Sequence, residues 1–382
     1  MPAGADSDSN DRRVGRGFGF WLRQAAAVAA ALVALAALAL LATHVFLPQR
    51  TGPLVFSQIF EPYLLAGALF LLLVLALLAR RRWPTLLMLL LVCALAARYG
   101  PQLVSFPAPV PEGAQELHVM SWNLEAGEVS AADIVETVER IQPDIVGLIE
   151  LTPARSRATE DHARIQDLYP YRVMLPRSGE PGLGMLSRFP VLEHEFTQDP
   201  PFLRAVITPS VVEPPLIVFV AHPYLDGIDV LGLVPDVQTA RRDAHIRAIR
   251  AQIDADLAAG RDVLVLGDFN VTEREPAYAE LAGGLHDAQR EAGFGLGLTW
   301  RPGRIDNLPF GLLRIDYVLA SSTFVALSAG PDCTPLGSDH CLLTATFARP
   351  RTQSVDASGM PLPGGGRVDL GHHAPGRPAW HQ

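Results

Sequence analysis

Residues 262–270 read Asp-Val-Leu-Val-Leu-Gly-Asp-Phe-Asn. Within them, Val263–Leu266 is an uninterrupted apolar run, followed by a glycine and then by the polar residues Asp268 and Asn270. A short apolar run of this kind predicts a strand, here Val263–Gly267, that is buried on both faces beneath helices. The stretch therefore predicts an α/β domain in which polar side chains gather at a strand end, where such proteins bind their ligands.

The same pattern continues on both sides of this stretch, from Leu117 to about Ala348. Further strands are predicted at Leu117–Leu124, Ile145–Glu150, Gly184–Ser187, Ala205–Thr208, Leu216–His222, Arg314–Ala320 and Leu342–Phe347. Helices are predicted at Ala131–Ile141, around Val237–Leu257 and at Pro276–Ala282. Residues 117–348 are therefore expected to form one layered α/β domain with one substantial core.

Polar residues lie at or near the ends of several predicted strands, and they are Asn123, Glu150, His222, Asp316, Asp339 and His340. Together with Asp268 and Asn270 they form a set of carboxylates, amides and histidines suited to phosphoryl transfer to water. Carboxylate and amide oxygens are the ligands of a hard cation, so Mg²⁺ or Mn²⁺ is the expected cofactor. A Gly-rich phosphate loop of the Gly-Lys-Ser/Thr type is excluded, because the chain contains no lysine.

Each of these residues also has a simpler explanation. Asn123 and Asn270 are turn residues in many proteins, because asparagine tolerates tight backbone conformations. Glu150 can open a loop, and His222 can pack at a strand end. The aspartates can cap or form salt bridges. The joint occurrence of the set, in order along the chain, favours the catalytic interpretation.

Five motifs carry a resemblance to a known family: Ser121-Trp122-Asn123, Gly147-Leu148-Ile149-Glu150, Gly267-Asp268-Phe269-Asn270, Arg314-Ile315-Asp316-Tyr317-Val318 and Gly337-Ser338-Asp339-His340. In this order they resemble the motifs of the endonuclease/exonuclease/phosphatase superfamily of metal-dependent phosphoesterases. The resemblance covers Leu117 to about Ala348 and implies a four-layer α/β sandwich of the DNase I-like type.

The resemblance also implies a role for each residue. It makes Glu150 the principal metal ligand, with Asn123 and Asp339 as further metal-site residues. Asp268 orients or activates the attacking water, and Asn270 contacts phosphate or metal. His340 is the catalytic histidine, Asp316 holds it, and His222 contacts the phosphate.

Three apolar segments precede this domain, at Phe20–Leu47, about Tyr63–Ala79 and about Trp83–Ala97. The first two are long enough to cross a bilayer as helices, and the third is shorter. The alternatives are a cleaved signal peptide for the first segment and a re-entrant or interfacial segment for the third. We expect a bundle of three transmembrane helices within residues 20–98, after a cytoplasmic tail at residues 1–19.

Arginines set the expected orientation, because positive charge is retained on the cytoplasmic side of a membrane. Arg12, Arg13, Arg16 and Arg23 lie before or at the start of the first segment, and Arg80–Arg82 separate the second from the third. Both clusters are therefore expected in the cytoplasm and the catalytic domain on the other side of the cell membrane. A stiff, Pro-rich linker is expected at residues 99–116 and a disordered tail at residues 349–382.

Charge separates the possible substrates. Residues 117–348 contain 32 acidic residues against 18 arginines, a net charge of −14. A protein that binds duplex DNA usually has clustered basic residues, and this acidic domain shows no such cluster in its sequence. A lipid headgroup or small phosphodiester is therefore favoured over nucleic acid as the substrate. An extracytoplasmic non-specific nuclease is the alternative, and an inactive sensor of phosphorylated ligands is the alternative from another class. Cys333 and Cys341 either form a disulfide or remain free thiols, and the oligomeric state stays open.

Overall fold

The computed structural model describes residues 6–106, 108–178, 182–209, 214–229, 236–302 and 308–350. The helices in these ranges are α1 Asp6–Phe46, α2 Pro53–Ile59, α3 Glu61–Ala79, α4 Arg82–Leu103, α5 Ala131–Ile141, α6 Pro153–Glu160, α7 Ala163–Leu168, α8 Ala240–Ala258, α9 Pro276–Ala282 and α10 Ala288–Ala292. The strands are β1 Gln115–Asn123, β2 Ile145–Ile149, β3 Tyr171–Leu175, β4 Leu183–Ser187, β5 Val191–Gln198, β6 Pro201–Ile207, β7 Leu216–Ala221, β8 Ile228–Asp229, β9 Asp236–Val237, β10 Asp262–Asp268, β11 His286–Asp287, β12 Asp316–Ala320, β13 Val325–Asp332 and β14 Leu342–Arg349.

Twelve of these strands form two mixed six-stranded sheets. The first sheet has the order β13-β14-β1-β2-β4-β3 and the second β11-β12-β10-β7-β6-β5. Only the pairs β1–β2 and β7–β10 are parallel within the described sheets. The predicted α/β sandwich of the DNase I-like type is therefore confirmed.

Three apolar clusters build the four layers. The central cluster joins the facing sides of the two sheets, for example Val119 of β1 with Leu264 of β10. A second cluster packs α8 and α9 on the outer face of the second sheet, and a third packs α5 and α7 on the outer face of the first. Because strands in the middle of each sheet are covered on both faces, they carry the continuous apolar runs seen in the sequence.

Close packing at the carboxyl ends of β10 and β7 depends on a glycine. A Cβ atom at Gly267 would lie 2.1 Å from the carbonyl oxygen of Ala221 on the neighbouring strand β7. Only a residue without a side chain allows the two strands to stay this close. Gly267 thereby holds the end of β10, with Asp268, beside the end of β7, with His222.

Three of the helices are long and apolar enough to cross a membrane: Gly19–Phe46 within α1, Glu61–Ala79 and Arg82–Leu103. Large apolar side chains such as Leu35, Leu77 and Leu86 are exposed on their outer surface. Such a continuous apolar surface is typical of helices that face lipid. The third helix is longer than predicted, because it continues through Pro101.

A buried polar network joins these helices at one end. Nδ1 of His44, near the end of α1, lies 2.6 Å from a carboxylate oxygen of Glu61 at the start of α3. Tyr99 of α4 donates a hydrogen bond to the same carboxylate, and Arg98 lies 3.5 Å from it. His44 also contacts Ser57 of α2. All four helices are therefore linked on the side that leads into the α/β domain.

The expectation of an extended linker at residues 99–116 was wrong for its first part. Residues 99–103 continue α4, and the carbonyl of Leu103 accepts a hydrogen bond from the backbone N–H of Gly295. Arg290 donates to the carbonyl of Gln102, and Ser105 donates to the carbonyl of Gly293. These bonds to the α/β domain satisfy the carbonyl groups at the helix end and keep the chain against the domain.

The short helix α2, between the first two candidate spans, also packs on the α/β domain. Val55 and Ile59 are buried in an apolar cluster with Val237, Leu313 and Ile315. This contact brings the loop between the spans against the segment that leads into Asp316.

Cys333 and Cys341 form a disulfide, which decides between the two alternatives left open by the sequence. The bond closes the loop that carries Asp339 and His340. The tail predicted to be disordered, apart from Arg349 and Pro350, lies outside the described residues.

Candidate functional site

The predicted residues meet at one edge of the sandwich. Asn123, Glu150, His222 and Asp268 end or follow the four strands β1, β2, β7 and β10. Strand β12 runs antiparallel to β10, with Asp316 directly opposite Asp268, and His340 lies just before β14. Because parallel strands end at the same edge and antiparallel neighbours begin there, residues far apart in sequence come into contact.

Asp268 lies at the centre of the site and is almost completely buried. Its Oδ2 accepts a 3.0 Å hydrogen bond from Asn123 and lies 3.5 Å from Nε2 of both His222 and His340. Its Oδ1 accepts a hydrogen bond from the backbone N–H of Asn270. Burial raises the pKa of Asp268 above its ordinary value, against the lowering effect of the two histidines. A carboxylate with a raised pKa is a stronger base.

His340 is held by Asp316. Nδ1 of His340 lies 2.9 Å from Oδ2 of Asp316, and both side chains are buried. Burial alone would lower the pKa of His340, but the charges of Asp316 and Asp268 outweigh it and raise the pKa to about 10. The imidazole therefore carries a proton on the nitrogen that faces Asp268. The backbone of Asp316 is fixed in turn by a hydrogen bond to the hydroxyl of Thr299.

Glu150 and Asn123 contact each other, with Glu150 partly exposed and Asn123 buried. Glu150 has a left-handed backbone, with φ of 58°, and its side chain is 27% exposed. The amide nitrogen of Asn123 donates to Glu150 at 3.1 Å, and the amide oxygen accepts from the backbone N–H of Glu125. In this arrangement Asn123 holds two carboxylates together as a donor, so its oxygen does not face Glu150.

Asp339 and Glu125 add two more carboxylates. Asp339 lies 3.8 Å from His340 and accepts a hydrogen bond from the indole of Trp300. Glu125, which the sequence interpretation missed, accepts a hydrogen bond from the backbone N–H of Asp339 at 2.6 Å. Burial, followed by neighbouring carboxylates, raises the pKa of Glu125. Its position two residues after Asn123 was the signal available in the sequence.

His222 faces the same two carboxylates as Asn123. Its Nε2 lies 3.5 Å from Asp268 and 3.7 Å from Glu150, and the side chain is buried. Its Nδ1 makes no hydrogen bond to the residues that the structure describes. The ring is therefore placed to stabilise negative charge between these two carboxylates.

Asn270 supports the site through its backbone and side chain. Its amide nitrogen donates to the carbonyl of Pro223, which follows His222, at 3.1 Å. Its carbonyl accepts from Arg242, a buried arginine paired with Glu275 at 2.6 Å. Asn270 thus links the loop after β10 to the loop after β7. Arg242 was missed, because one arginine on a predicted helix gives no signal of such a role.

The donor set fits a divalent cation. Five carboxylates and two histidines converge here: Glu125, Glu150, Asp268, Asp316, Asp339, His222 and His340. Burial raises the pKa values of Glu125, Asp268 and Asp339, and a bound cation would favour the charged forms of these carboxylates. One atom each of Asp268, Asp316 and His340 also lies within 4.8 Å of the others. Since His340 and Asp316 already bond to each other, the less buried Glu150 and Asp339 are the better ligands for a hard cation.

Fold and site together define a class of metal-dependent phosphoesterases. The sequence profile of the endonuclease/exonuclease/phosphatase family matches residues 120–340, more than half of the chain, and the chain belongs to this family. The resemblance inferred from the five motifs is therefore confirmed. Members of the family are hydrolytic phosphoesterases that depend on a divalent metal ion.

Three of the solved structures with a similar fold are matched by this chain over nearly their whole length. An endonuclease/exonuclease/phosphatase family protein from Bacteroides thetaiotaomicron is 15% identical, with a TM-score of 0.49 over 62% of this chain and 99% of its own. D. rerio TDP2 complexed with a single-strand DNA product is 22% identical, with a TM-score of 0.49 over 61% and 99%. A mannosyl-6-phosphatase from B. thetaiotaomicron is 16% identical, with a TM-score of 0.47 over 60% and 99%. No curated protein matches the chain.

Proposed function

We propose that this protein is a membrane-anchored, divalent-metal-dependent phosphoesterase whose catalytic domain lies outside the cytoplasm. It hydrolyses a phosphodiester or phosphomonoester, and a lipid headgroup or another small phosphoester is the favoured substrate. The observation that carries the proposal is the line of contacts Asp316–His340–Asp268, buried at the edge where the strand ends meet.

Each group in this line has a chemical role. Asp268 orients the attacking water and accepts its proton, for which a raised pKa makes it a stronger base. As the water oxygen bonds to phosphorus, the bond from phosphorus to the leaving oxygen breaks. Protonated His340, held by Asp316, stabilises the negative charge that develops on the phosphoryl oxygens. His222 does the same from the other side of Asp268.

Glu150 and Asp339 would hold the cation, with Asn123 fixing the position of Glu150. A divalent cation at these oxygens supplies polarisation of the phosphoryl group. Glu125 supports this side of the site through its bond to the backbone of Asp339. Mg²⁺ and Mn²⁺ both suit the oxygen-rich set.

Two independent features support the orientation across the membrane. The arginines Arg80–Arg82, at the junction of α3 and α4, are expected on the cytoplasmic side, which predicts that the domain after α4 lies on the opposite side. The disulfide between Cys333 and Cys341 is typical of an oxidising compartment outside the cytoplasm.

Packing of the domain against the spans supports a substrate at the membrane surface. Arg274 donates to the carbonyls of Gln58 and Ile59, next to the start of α3. Tyr63, in the first turn of α3, donates to the carbonyl of Leu312. These bonds support a position of the domain close to the membrane surface. The net charge of −14 over residues 117–348 disfavours duplex DNA.

The proposal is tested with the purified full chain in detergent or nanodiscs. Hydrolysis of bis(p-nitrophenyl) phosphate, phospholipids and plasmid DNA is compared with Mg²⁺, Mn²⁺ or chelator present. Metal-dependent turnover of a phosphoester supports the proposal. Turnover of plasmid DNA alone would favour the nuclease alternative, and binding without turnover of any phosphoester would favour the inactive sensor.

A further inference from the structure

A cavity of about 200 Å³ lies between the candidate spans and the catalytic domain. Its apolar wall includes Tyr63 and Ala66 of α3, and its polar wall includes Glu273, Arg274, Arg290 and Arg314. Within the described part of the chain, none of the catalytic or metal-site residues named above lines it. The cavity is therefore a second feature, separate from the catalytic site.

The cavity lies at the level expected for lipid headgroups. Tyr63 and Ala66 belong to the first turns of α3, and Gln102, also in the lining, belongs to the last turn of α4. The start of one span and the end of the next are on the same face of the membrane. The charge of arginines at such a boundary attracts the phosphate of an anionic lipid headgroup.

The charge of the lining is predominantly positive. Arg290 and Arg314 share one carboxylate, Glu273, and Arg314 also pairs with Asp287 behind the cavity. Arg274 donates to backbone carbonyls at the end of α2 and makes no ion pair with the described residues. Its charge is therefore available to an anion in the cavity.

We propose that this cavity binds the phosphate of an anionic phospholipid, with Arg274 as its principal contact. Nε and Nη2 of Arg274 donate to the two backbone carbonyls, and the remaining N–H groups of the guanidinium can donate to a phosphate oxygen. The acyl chains extend along the apolar surface of α3 beyond Ala66. The lipid thus joins the spans to the catalytic domain. This inference rests on the membrane anchoring in the proposed function.

The test measures lipid binding to the full chain in detergent by native mass spectrometry and by the increase of Tm on lipid addition. Phosphatidylglycerol is expected to bind and phosphatidylcholine to bind much less. Glycerol 3-phosphate carries the same phosphate without acyl chains and is expected to bind weakly. Arg274→Gln should weaken phosphatidylglycerol binding about tenfold, since it removes a charge-assisted hydrogen bond. Arg247→Gln, an equal charge change on an exposed arginine of α8, should leave binding unchanged.

Arg274→Gln also removes the hydrogen bonds from Arg274 to the end of α2, so a second variant is needed that leaves these bonds in place. Ala66→Trp keeps every charge and fills the cavity from the span, so it should also weaken phosphatidylglycerol binding. The inference is overturned if both variants bind like wild type, if Arg247→Gln weakens binding equally, or if glycerol 3-phosphate binds as tightly as the lipid. Hydrolysis of bis(p-nitrophenyl) phosphate is measured on the same preparations. Hydrolysis without selective lipid binding would contradict the lipid site alone, and lipid binding without hydrolysis would contradict the proposed activity alone.

Discussion

Replacement of the three residues in the line Asp316–His340–Asp268 should have unequal effects on turnover. Asp268→Asn removes the proton acceptor and His340→Ala removes the group that stabilises phosphoryl charge. Each is expected to lower the rate about 10²–10⁴-fold, the usual contribution of a positioned acid–base group. Asp316→Asn should lower the rate less, because it removes only the charge that faces Nδ1 of His340.

The structure sets the size of the smaller effect. Asp316 contacts His340 through one hydrogen bond of 2.9 Å, and the oxygen of an asparagine can still accept it. The difference between a charged and a neutral hydrogen bond is about 1–1.5 kcal/mol. This difference corresponds to about a tenfold lower rate.

The assay is metal-dependent hydrolysis of bis(p-nitrophenyl) phosphate by the full chain, with Tm measured for every variant. Asp254→Asn provides the matched control, because this carboxylate is 56% exposed on α8 and pairs only with Arg250 among the described residues. Its turnover should equal that of wild type. Near-full activity of His340→Ala, or equal losses for Asp316→Asn and Asp268→Asn at unchanged Tm, would refute the assigned roles.

Three further predictions concern metal, topology and stability. Glu150→Gln should raise the Mg²⁺ concentration needed for half-maximal activity about 100-fold, with little change in Tm, because it neutralises the main charged ligand. Wild-type activity that is equal with and without chelator would contradict a metal mechanism. A periplasmic reporter fused after Gly100 should be active, and activity of a cytoplasmic reporter alone would reverse the proposed orientation. Burial opposes ionisation of Asp287, but the charge of Arg314 outweighs this effect and lowers the pKa of Asp287 in the folded protein. The pair therefore stabilises the fold fully above the pKa of the unfolded chain, about 3.9. This stabilisation is lost as the pH falls through the lower pKa of the folded protein. Asp287→Asn should therefore lower Tm at neutral pH, and a thermal scan should show the difference from wild type narrowing in acid; a constant difference would argue against this pair.

Much of the sandwich was predictable because its central strands are covered on both faces. The predictions for Val263–Gly267 and Leu216–His222 differ from β10 and β7 by at most one residue at either end. Helices α5 and α9 have their predicted bounds, and α5 has an apolar stripe of helical period that buries Ile134 and Val138. Strands β3, β5 and β13 were missed. They lie at the outer positions of the sheets, where mixed exposure leaves no continuous apolar run.

The site could be predicted as a set of residue types but not as an arrangement. Each motif lies at a strand end, so its residues were visible in the sequence. Their roles stay predictions until tested. Glu125 and Arg242 act through single long-range bonds, to Asp339 and to Asn270, and such bonds leave no periodic signal.

The sequence by itself determined the fold class, the family and the three apolar helices that are long enough to cross a membrane, because burial away from water imposes long apolar patterns on neighbouring residues. Only the tertiary structure decided which side chains meet. The distance of 3.5 Å between Asp268 and His340 joins residues 72 positions apart, and it depends on strand order and register. The packing of α2 on the domain and the arginine-lined cavity beside α3 were likewise decided only by the tertiary structure. They arise where surfaces from distant parts of the chain face each other, and no local pattern records such a contact.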